Sequence, residues 1–433
     1  MFCTPVIRKN CLFLLVICWV CLITAGCTQK VEQSKTGGQP VERTVIIGFT
    51  ASQTGKFNVE STRQINGLNL WIEQVNSSGG IRLGDGTKIK FAARFYDDES
   101  NKDRVQELYT KLISQDKAEF LISPYSSGLA DASAMIAEQY SKLIITAGAA
   151  SDSTHSKGYN LVYQVYTPAS RYLTGAFNML SKLDEKAHNA VLIYEKDKFS
   201  TEVCAAANKY GAEKGFKISL FEGYDSGATD FAPFINKIPK GTDAVMGGGH
   251  FADGTTFAKQ LFEKGVKAKF ISLLVAPPEP KFAELGNAAV GIIGPSQWEP
   301  LAKYSSELSH LAGQGAEWFG PNISEFVAAY KNKYQEEPSY HGAGGYAAAL
   351  ILQKAIIAAG SLDTQKVKAE LDKLNLMIFF GRIQFDTTPQ MHGLQKGHEM
   401  VYIQWQKDAQ GKLVKQVVWP EEAKSANALY PAH

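Results

Sequence analysis

Three loops rich in small polar residues could bind a negatively charged group. Each follows an apolar run that predicts a buried strand; they are residues 52–55 (SQTG), 123–128 (SPYSSG) and 147–154 (AGAASDST). Hydroxyl groups and the free N–H groups of a helix N-terminus suit a carboxylate, because first-turn donors lack partners and the helix dipole favours negative charge. A serine before a helix often serves only as its N-cap. Three such loops at successive strand ends nevertheless favour a ligand site.

Motifs for catalysis, metal binding or nucleotide binding are missing from the sequence. Residues 48–56 loosely resemble a phosphate-binding loop, but the spacing differs and Phe57 stands where Ser or Thr must hold magnesium. The chain has no G-x-S-x-G turn and no H-E-x-x-H pair, and its 8 histidines are scattered. Residues 97–99 (DDE) are interpreted as a solvated turn before a helix, with catalytic carboxylates or a cation site as the alternative. We therefore predict no catalytic residue, no metal and no cofactor.

The segments between these loops alternate between predicted strands and predicted helices. This alternation predicts a parallel, doubly wound α/β sheet, in which ligands bind at the carboxyl ends of the strands. The strands are too many for one sheet, so two similar lobes are expected. In the second half of the chain, the pattern predicts helices at 255–264, 323–334 and 344–359. It predicts strands at 290–293 and 379–385.

The N-terminal segment has the pattern of a secretory signal peptide. Arg8 and Lys9 precede thirteen apolar residues at 11–23, and small residues follow at 24–26. The apolar run is too short for a transmembrane helix, which needs roughly 20 residues. We therefore predict a cleaved signal peptide at residues 1–26.

Cys27 follows the small residues directly and resembles the lipid-bearing cysteine of bacterial lipoproteins. Thr24 departs from that pattern, which usually has Leu at this position. We predict lipidation at Cys27 and a polar tether at 27–43, with an ordinary signal peptide as the alternative. Cleavage would leave Cys204 as the one internal thiol, which excludes an intramolecular disulfide. The net charge of +2 does not indicate a basic surface that would bind nucleic acid.

The order of several short motifs resembles the solute-binding proteins of ABC transporters. The motifs are VIIGFTASQTGKF, GLNLWIEQVNSSGGI, FYDDESN, LISPYSSG, IITAGAAS, GGGH followed by ADG, and GYAAALILQKAI. The resemblance extends from Thr44 to Trp419 and is strongest to the leucine–isoleucine–valine-binding type, which has the type I periplasmic binding protein fold.

The resemblance implies two Rossmann-like lobes joined by three crossovers. We place the crossovers near Val165, Ser296 and Gly397. Lobe 1 would comprise residues 44–165 and 297–396, and lobe 2 would comprise residues 166–296 and 397–423. The ligand would lie in the cleft between them.

Ten candidate ligand-binding residues follow from the strand-end loops and from the resemblance. They are Ser52, Tyr125, Ser126, Ser127, Ala149, Ala150, Ser151, Phe199, His250 and Trp298. In the family, the loops that match 124–128 and 148–151 hold an α-carboxylate through hydroxyl and backbone N–H groups. This role agrees with the anion argument above.

The sequence departs from the amino-acid binders of the family in lobe 2. Those proteins hold the ligand's ammonium with an acid after the strand that matches 270–273, but here residues 274–278 read LVAPP. Glu279, which is displaced by several residues, and Asp253 are the acids left as possible acceptors, although Asp253 is expected to cap the helix at Thr255. An unpaired buried ammonium would cost several kcal/mol. A carboxylic acid or amide without an amine is therefore a candidate ligand.

The sequence as a whole predicts a lipid-anchored, extracytoplasmic solute-binding protein of an ABC importer. Its predicted partners are a small amino acid or organic acid, an ABC permease and, through the anchor, the membrane. One alternative is a ligand-sensing module for a membrane receptor or kinase. Another is an extracellular α/β hydrolase, although no nucleophile–base motif supports it.

Overall fold

The structure is a computed structural model and describes residues 41–301 and 316–432. The predicted signal peptide, Cys27 and the predicted tether up to residue 40 lie outside the described residues. The first strand begins at Glu42, so it includes the last two residues of the predicted tether. Glu42 pairs in register with Lys88 of the neighbouring strand.

The first sheet contains six strands in the order β2-β3-β1-β4-β5-β6. Their bounds are β1 Glu42–Ala51, β2 Ile81–Arg82, β3 Lys88–Asp97, β4 Phe120–Ile122, β5 Ile144–Thr146 and β6 Val162–Gln164. The helices between them are α1 Asn58–Ser77, α2 Lys102–Ser114, α3 Ser127–Gln139 and α4 Asp152–His155. All pairs are parallel except β2 with β3. We call this sheet, with its helices, the first lobe.

The second sheet, with its helices, is called the second lobe. Its strands are β7 Asn189–Glu195, β8 Lys217–Tyr224, β9 Ala244–Gly248, β10 Phe270–Leu273 and β11 Ile293–Ser296, with β15 Val401–Lys407 and β16 Leu413–Trp419 from the chain end. The order is β16-β15-β11-β10-β9-β7-β8, and only the pairs made by β15 are antiparallel. The helices are α5 Thr174–Leu183, α6 Lys198–Glu213, α7 Ala232–Ile235 and α8 Phe251–Glu263. Two 3-10 segments are Ala169–Arg171 and Pro280–Ala289.

The remaining elements lie between β11 and β15 in the chain. They are β12 Glu317–Trp318, α9 Ile323–Tyr334, α10 Tyr340–Ala359, α11 Thr364–Asp372, β13 Leu376–Ile378 and β14 Gly381–Ile383. The three strands form a small sheet of their own. The predicted strand at 379–385 is confirmed only over Gly381–Ile383, because its first two residues form the hairpin turn between β13 and β14. Gly381, which follows this turn, has φ 128°, a backbone conformation that residues with a side chain rarely adopt.

Helix α10 packs against α1 at very close range. A methyl group on Gly67 would overlap the carbonyl oxygen of Gly342, and one on Gly345 would overlap the carbonyl oxygen of Gln64. Among the described residues, only α10 is long and apolar enough to cross a membrane, but 72% of its most apolar stretch is buried in the protein. Its apolar character is therefore that of a core helix, and α10 completes the first lobe.

The α/β class and the two parallel sheets confirm the predicted fold class. Three predicted boundaries differ from the structure: α8 begins at Phe251 and not at 255, α10 begins at Tyr340 and not at 344, and β11 spans Ile293–Ser296. The N-cap residues of these two helices are His250 and Ser339, which both have extended backbone angles. The exact lobe boundaries and crossovers remain predictions.

Candidate functional site

A cavity lies between the strand ends of the two lobes. Its empty space, which includes solvent at the open mouth, is about 230 Å³. It is lined by Tyr125, Ser126, Ser127, Gly148, Ala150, Tyr166, Tyr172, Phe199, His250, Val275 and Tyr340. Six of the ten predicted site residues are therefore brought together here, as the strand-end rule for open α/β sheets leads one to expect.

The first-lobe side of the cavity is built from the loops after β4 and β5. Ser126 is the N-cap of α3, and its Oγ accepts a hydrogen bond from Leu129 N at 3.3 Å. Ser127 Oγ accepts from Ala150 N at 3.2 Å, which ties the two loops together. Because the Ser127 hydroxyl hydrogen is still free to donate, and the first turn of α3 opens here, this side can bind a carboxylate.

Gly148 allows the loop after β5 to reach this position. A side chain there would meet the Tyr125 ring and the Gln64 amide oxygen. The backbone carbonyl of Gly148 accepts from Ser126 N at 3.1 Å. Any larger residue at 148 would therefore separate the two loops that form the polar side of the cavity.

The opposite walls of the cavity are aromatic. Tyr172 and Phe199 pack edge to face with ring centroids 4.9 Å apart. Tyr166 donates a hydrogen bond to the carbonyl of Tyr340 at 3.3 Å. Burial raises the pKa of Tyr166 and Tyr340 well above the usual value, so both hydroxyls stay neutral. These rings can pack against a flat or branched apolar ligand group.

His250 forms hydrogen bonds at both ring nitrogens. Its Nδ1 lies 2.8 Å from the Tyr125 hydroxyl, and its Nε2 lies 2.8 Å from Asp197 Oδ2. Burial lowers the pKa of His250, but the attraction of Asp197 and then of Glu195 outweighs it and raises the pKa to about 9. His250 is therefore cationic near neutral pH.

Further acids surround His250 without lining the cavity. Glu195 accepts from Lys56 Nζ at 2.6 Å, and Glu60 accepts from the backbone N–H of Phe251 at 2.9 Å. Asp253 accepts from His250 N at 2.8 Å. Burial, and secondly the charge of Glu195, raise the pKa of Asp253 to about 6.

One group in the described part of the chain has the donor set of a cation site. The ligand atoms of Glu195, Asp197 and His250 lie within 4.8 Å of one another. A metal ion would have to displace the proton that His250 Nε2 shares with Asp197. Because this group is already complete as a hydrogen-bonded ion pair, we assign no metal to it.

Four predicted site residues do not line the cavity. Ser52 Oγ donates to Asp98 Oδ1 at 2.6 Å, and Ser151 Oγ donates to Glu202 Oε1 at 2.7 Å. Trp298 is a core residue whose Nε1 donates to the carbonyl of Phe379 at 3.0 Å. Ala149 is buried in the loop beside the cavity.

One other expectation for the acids is wrong. Asp98 is not in a solvated turn, because its side chain is fully buried and accepts from Ser52 and from Thr50. Asp253 does cap its helix, as expected, but from within the first turn of α8, where its side chain completes a capping box by accepting from the backbone N–H of His250.

Five lining residues are not among the ten candidates; they are Gly148, Tyr166, Tyr172, Val275 and Tyr340. Gly148 lies in one of the three predicted polar loops. Tyr172 directly follows the 3-10 segment Ala169–Arg171, which no sequence signal predicted. Val275 belongs to the LVAPP stretch, and the position of this stretch directly after β10 was the signal that could have identified it.

The two lobes are in contact on both sides of the cavity. On one side Lys56 of the first lobe is paired with Glu195 of the second. On the other side the Ser151 hydroxyl contacts Glu202, a residue of α6. The cavity is therefore seen in a closed arrangement.

Comparison with known proteins identifies the family. A sequence profile described as periplasmic binding protein matches residues 44–410. The chain belongs to the periplasmic binding protein family. Its relatives include the Leu/Ile/Val-binding protein homolog 7 of Brucella melitensis, which is 24% identical over 406 residues, or 89% of this chain and 94% of the relative. The leucine-, isoleucine-, valine-, threonine- and alanine-binding protein of Pseudomonas aeruginosa is 23% identical, covering 86% and 92%.

Solved structures share the fold of this periplasmic binding protein. The substrate-binding protein LivJ from Streptococcus pneumoniae, in complex with isoleucine, matches with a TM-score of 0.70 and 21% identity, covering 87% of this chain and 100% of that one. A solute-binding protein of an ABC transporter from Rhodopseudomonas palustris, in complex with 3,4-dihydroxybenzoic acid, matches with a TM-score of 0.71 and 18% identity, covering 90% and 98%. The type I fold is thereby confirmed. The family is one of transport proteins that bind substrates, which implies an extracytoplasmic location.

Proposed function

We propose that this protein captures a small carboxylate outside the cytoplasm for an ABC importer, by closure of its two lobes and without catalysis. The observation that carries the proposal is the cavity between the lobes, which joins the Ser126–Ser127 helix start to an aromatic wall. A ligand that contacts both lobes stabilises the closed form, which a permease can recognise. Lipid on Cys27 would hold the protein at the membrane, and mass spectrometry of the mature N-terminus checks this.

An organic acid without an amine is the favoured ligand class. Among the described residues, the cavity lining contains no carboxylate side chain that could accept an ammonium group. Of the acids near His250, Asp197 is paired with His250 itself, and Glu195 is paired through its Oε1 with Lys56. The benzoic acid derivative bound by the Rhodopseudomonas protein belongs to this class.

A branched-chain amino acid is the second candidate. The Pseudomonas relative and LivJ are named for such ligands, and the first-lobe loops suit an α-carboxylate. An ammonium group would have to reach the acids behind His250. Calorimetry with leucine and with 4-methylpentanoate, its amine-free counterpart, separates the two candidates. Tight binding of leucine alone would contradict our favoured class.

Ser127→Ala tests the carboxylate position. A hydrogen bond to a charged group contributes about 1.5–3 kcal/mol, so we expect binding of benzoate or 4-methylpentanoate to weaken roughly 10- to 100-fold. Ser133→Ala is the matched control, because Ser133 is a buried serine of the same helix whose hydroxyl donates to the Ala130 carbonyl. If Ser127→Ala binds as well as the wild-type protein, the ligand lies elsewhere.

A further inference from the structure

Three residues form a continuous hydrogen-bonded chain that ends at the cavity. Asp197 Oδ2 contacts His250 Nε2, and His250 Nδ1 contacts the Tyr125 hydroxyl, each at 2.8 Å. Tyr125 and His250 are each 3% exposed, and both line the cavity. Tyr125 follows β4 of the first lobe, whereas Asp197 and His250 belong to the second. This chain of hydrogen bonds therefore forms only when the lobes close.

The acid at the far end of this chain is fixed by the fold. Asp197 is the N-cap of α6, and its Oδ1 accepts from Ser200 N at 2.7 Å. Its other oxygen is then directed at His250. Because a carboxylate only accepts hydrogen bonds, Nε2 of His250 carries a proton. The same cap places Phe199 in the first turn of α6, against the cavity.

The charged groups around His250 favour a second proton on its ring. Glu195 Oε2 lies 4.0 Å from Nε2 and has no hydrogen-bond partner. Glu60 also faces the ring, while Lys56 is held by Glu195 and Asp253 by the His250 backbone. The doubly protonated imidazolium then donates through Nδ1 to the Tyr125 oxygen. Tyr125 keeps its own hydroxyl hydrogen, because burial raises its pKa well above the usual value.

We propose that Asp197 and His250 act as positioning residues that make Tyr125 an obligatory hydrogen-bond donor to the ligand. The second lobe then selects a ligand that presents an acceptor, such as a carboxylate oxygen, a carbonyl or a phenol oxygen, and disfavours an ammonium group. This inference rests on the proposed function and narrows its ligand class.

The proposal predicts that the affinity for a carboxylate falls as the pH rises. The pKa of His250 is raised to about 9, so the donor arrangement is present below that pH and is lost as the pH rises through it. A neutral His250 keeps its proton on Nε2 and accepts the Tyr125 hydroxyl hydrogen at Nδ1. The Tyr125 oxygen then faces the ligand carboxylate with lone pairs only. Affinity falls by at most about tenfold per pH unit above this point, because one proton is lost.

The first experiment measures the affinity for benzoate and 4-methylpentanoate from neutral pH to above the pKa of His250. Both probes stay ionised throughout, so a change reports the protein. We expect wild-type binding to weaken above about pH 9, and Tyr125→Phe to weaken neutral-pH binding about 10- to 100-fold and abolish the pH dependence. Asp197→Asn should move the inflection to lower pH. Unchanged binding and pH dependence in Tyr125→Phe would overturn the proposal.

Tyr163→Phe is the matched control for the loss of a buried hydroxyl. Tyr163 is fully buried in the first lobe, away from the cavity lining, and its hydroxyl donates to Asp372 at 2.6 Å. Its variant should keep the wild-type affinity and pH profile. A change as large as that in Tyr125→Phe would show that the effect is structural, and would also count against the proposal.

The second experiment needs no ligand. Nitrogen NMR of histidine-labelled protein, with His250 assigned from the signal lost in His250→Asn, reports the protonation of each ring nitrogen. We expect both nitrogens of His250 to be protonated at neutral pH, since Asp197 belongs to the same lobe. If Nδ1 is unprotonated at neutral pH, the proposed role of Asp197 and His250 is overturned, even if benzoate or 4-methylpentanoate binds. Protonated nitrogens with no binding of any carboxylate would instead refute the proposed function.

Discussion

Glu279 illustrates how a residue's role depends on contacts that the local sequence does not contain. The sequence marked it as a possible ammonium acceptor, but its Oε1 lies 2.5 Å from Nδ1 of His341, and both side chains are fully buried. Burial raises the pKa of Glu279, but the hydrogen bond from His341 outweighs it, and the pKa is lowered overall. The acid therefore serves the junction between the second lobe and α10.

Glu279→Gln should destabilise the protein strongly. The substitution removes the buried carboxylate that His341 contacts, and a hydrogen bond to a charged group contributes about 1.5–3 kcal/mol, so the melting temperature should fall clearly in a thermal scan. Because the pKa of Glu279 is lowered in the folded protein, its stabilisation is present above its ordinary pKa of 4.5 and is lost as the pH falls through the folded-state value. Glu284→Gln, at an exposed position nearby, is the control. Equal melting temperatures for the two variants would contradict this role.

This dependence on contacts with distant residues also explains which candidate residues could be predicted. Short polar loops at strand ends located the Tyr125–Ser127 side of the cavity. They could not show that Ser52 is bonded to Asp98 or that Ser151 is bonded to Glu202, because those partners lie 46 and 51 positions away. A hydroxyl is available to a ligand only when such a distant partner is absent, and one sequence does not reveal that.

At the scale of elements, buried parallel strands were predictable because they appear as continuous apolar runs. Prediction of the element bounds failed at the hairpin turn before Gly381 and at the starts of α8 and α10. The close packing of α1 on α10 was also invisible. Helix α1 contains one glycine and α10 contains three, and only the opposing backbone shows what Gly67 and Gly345 are for.

Gly345→Ala tests this helix contact. Alanine is favoured over glycine inside a helix by about 1 kcal/mol, but its methyl group would overlap the backbone oxygen of Gln64, which cannot rotate away. Overpacking of this kind costs about 1–3 kcal/mol or more. We therefore expect a lower melting temperature.

Gly128→Ala is the matched control for this substitution. It is also a helical glycine, in α3, but a methyl group there would meet nothing within 4 Å. Its melting temperature should stay the same or rise slightly. Stabilisation by Gly345→Ala would mean that the two helices do not approach as closely as described.

At the scale of the whole molecule, function depends on contacts that exist only when the lobes meet. Lys56 with Glu195 on one side of the cavity, and Lys198 with Asp131 on the other, join residues of different lobes. Partly exposed ion pairs contribute at most about 1 kcal/mol each. Such pairs can bias closure but cannot hold it without a ligand, which is what a reversible binding protein requires.

Ligand should therefore make the molecule more compact. We expect small-angle scattering to show a smaller radius of gyration with benzoate or 4-methylpentanoate than without, because the ligand contacts both lobes. Combining Lys56→Gln with Lys198→Gln removes charges that pair across the cleft, so it should weaken binding by up to about 30-fold while the lobes still close at saturating ligand. Lys259→Gln is the control, since Lys259 is paired with Glu263 within α8 alone. A radius of gyration that is identical with and without bound ligand would show a rigid pocket, and closure could not be the signal that a permease recognises.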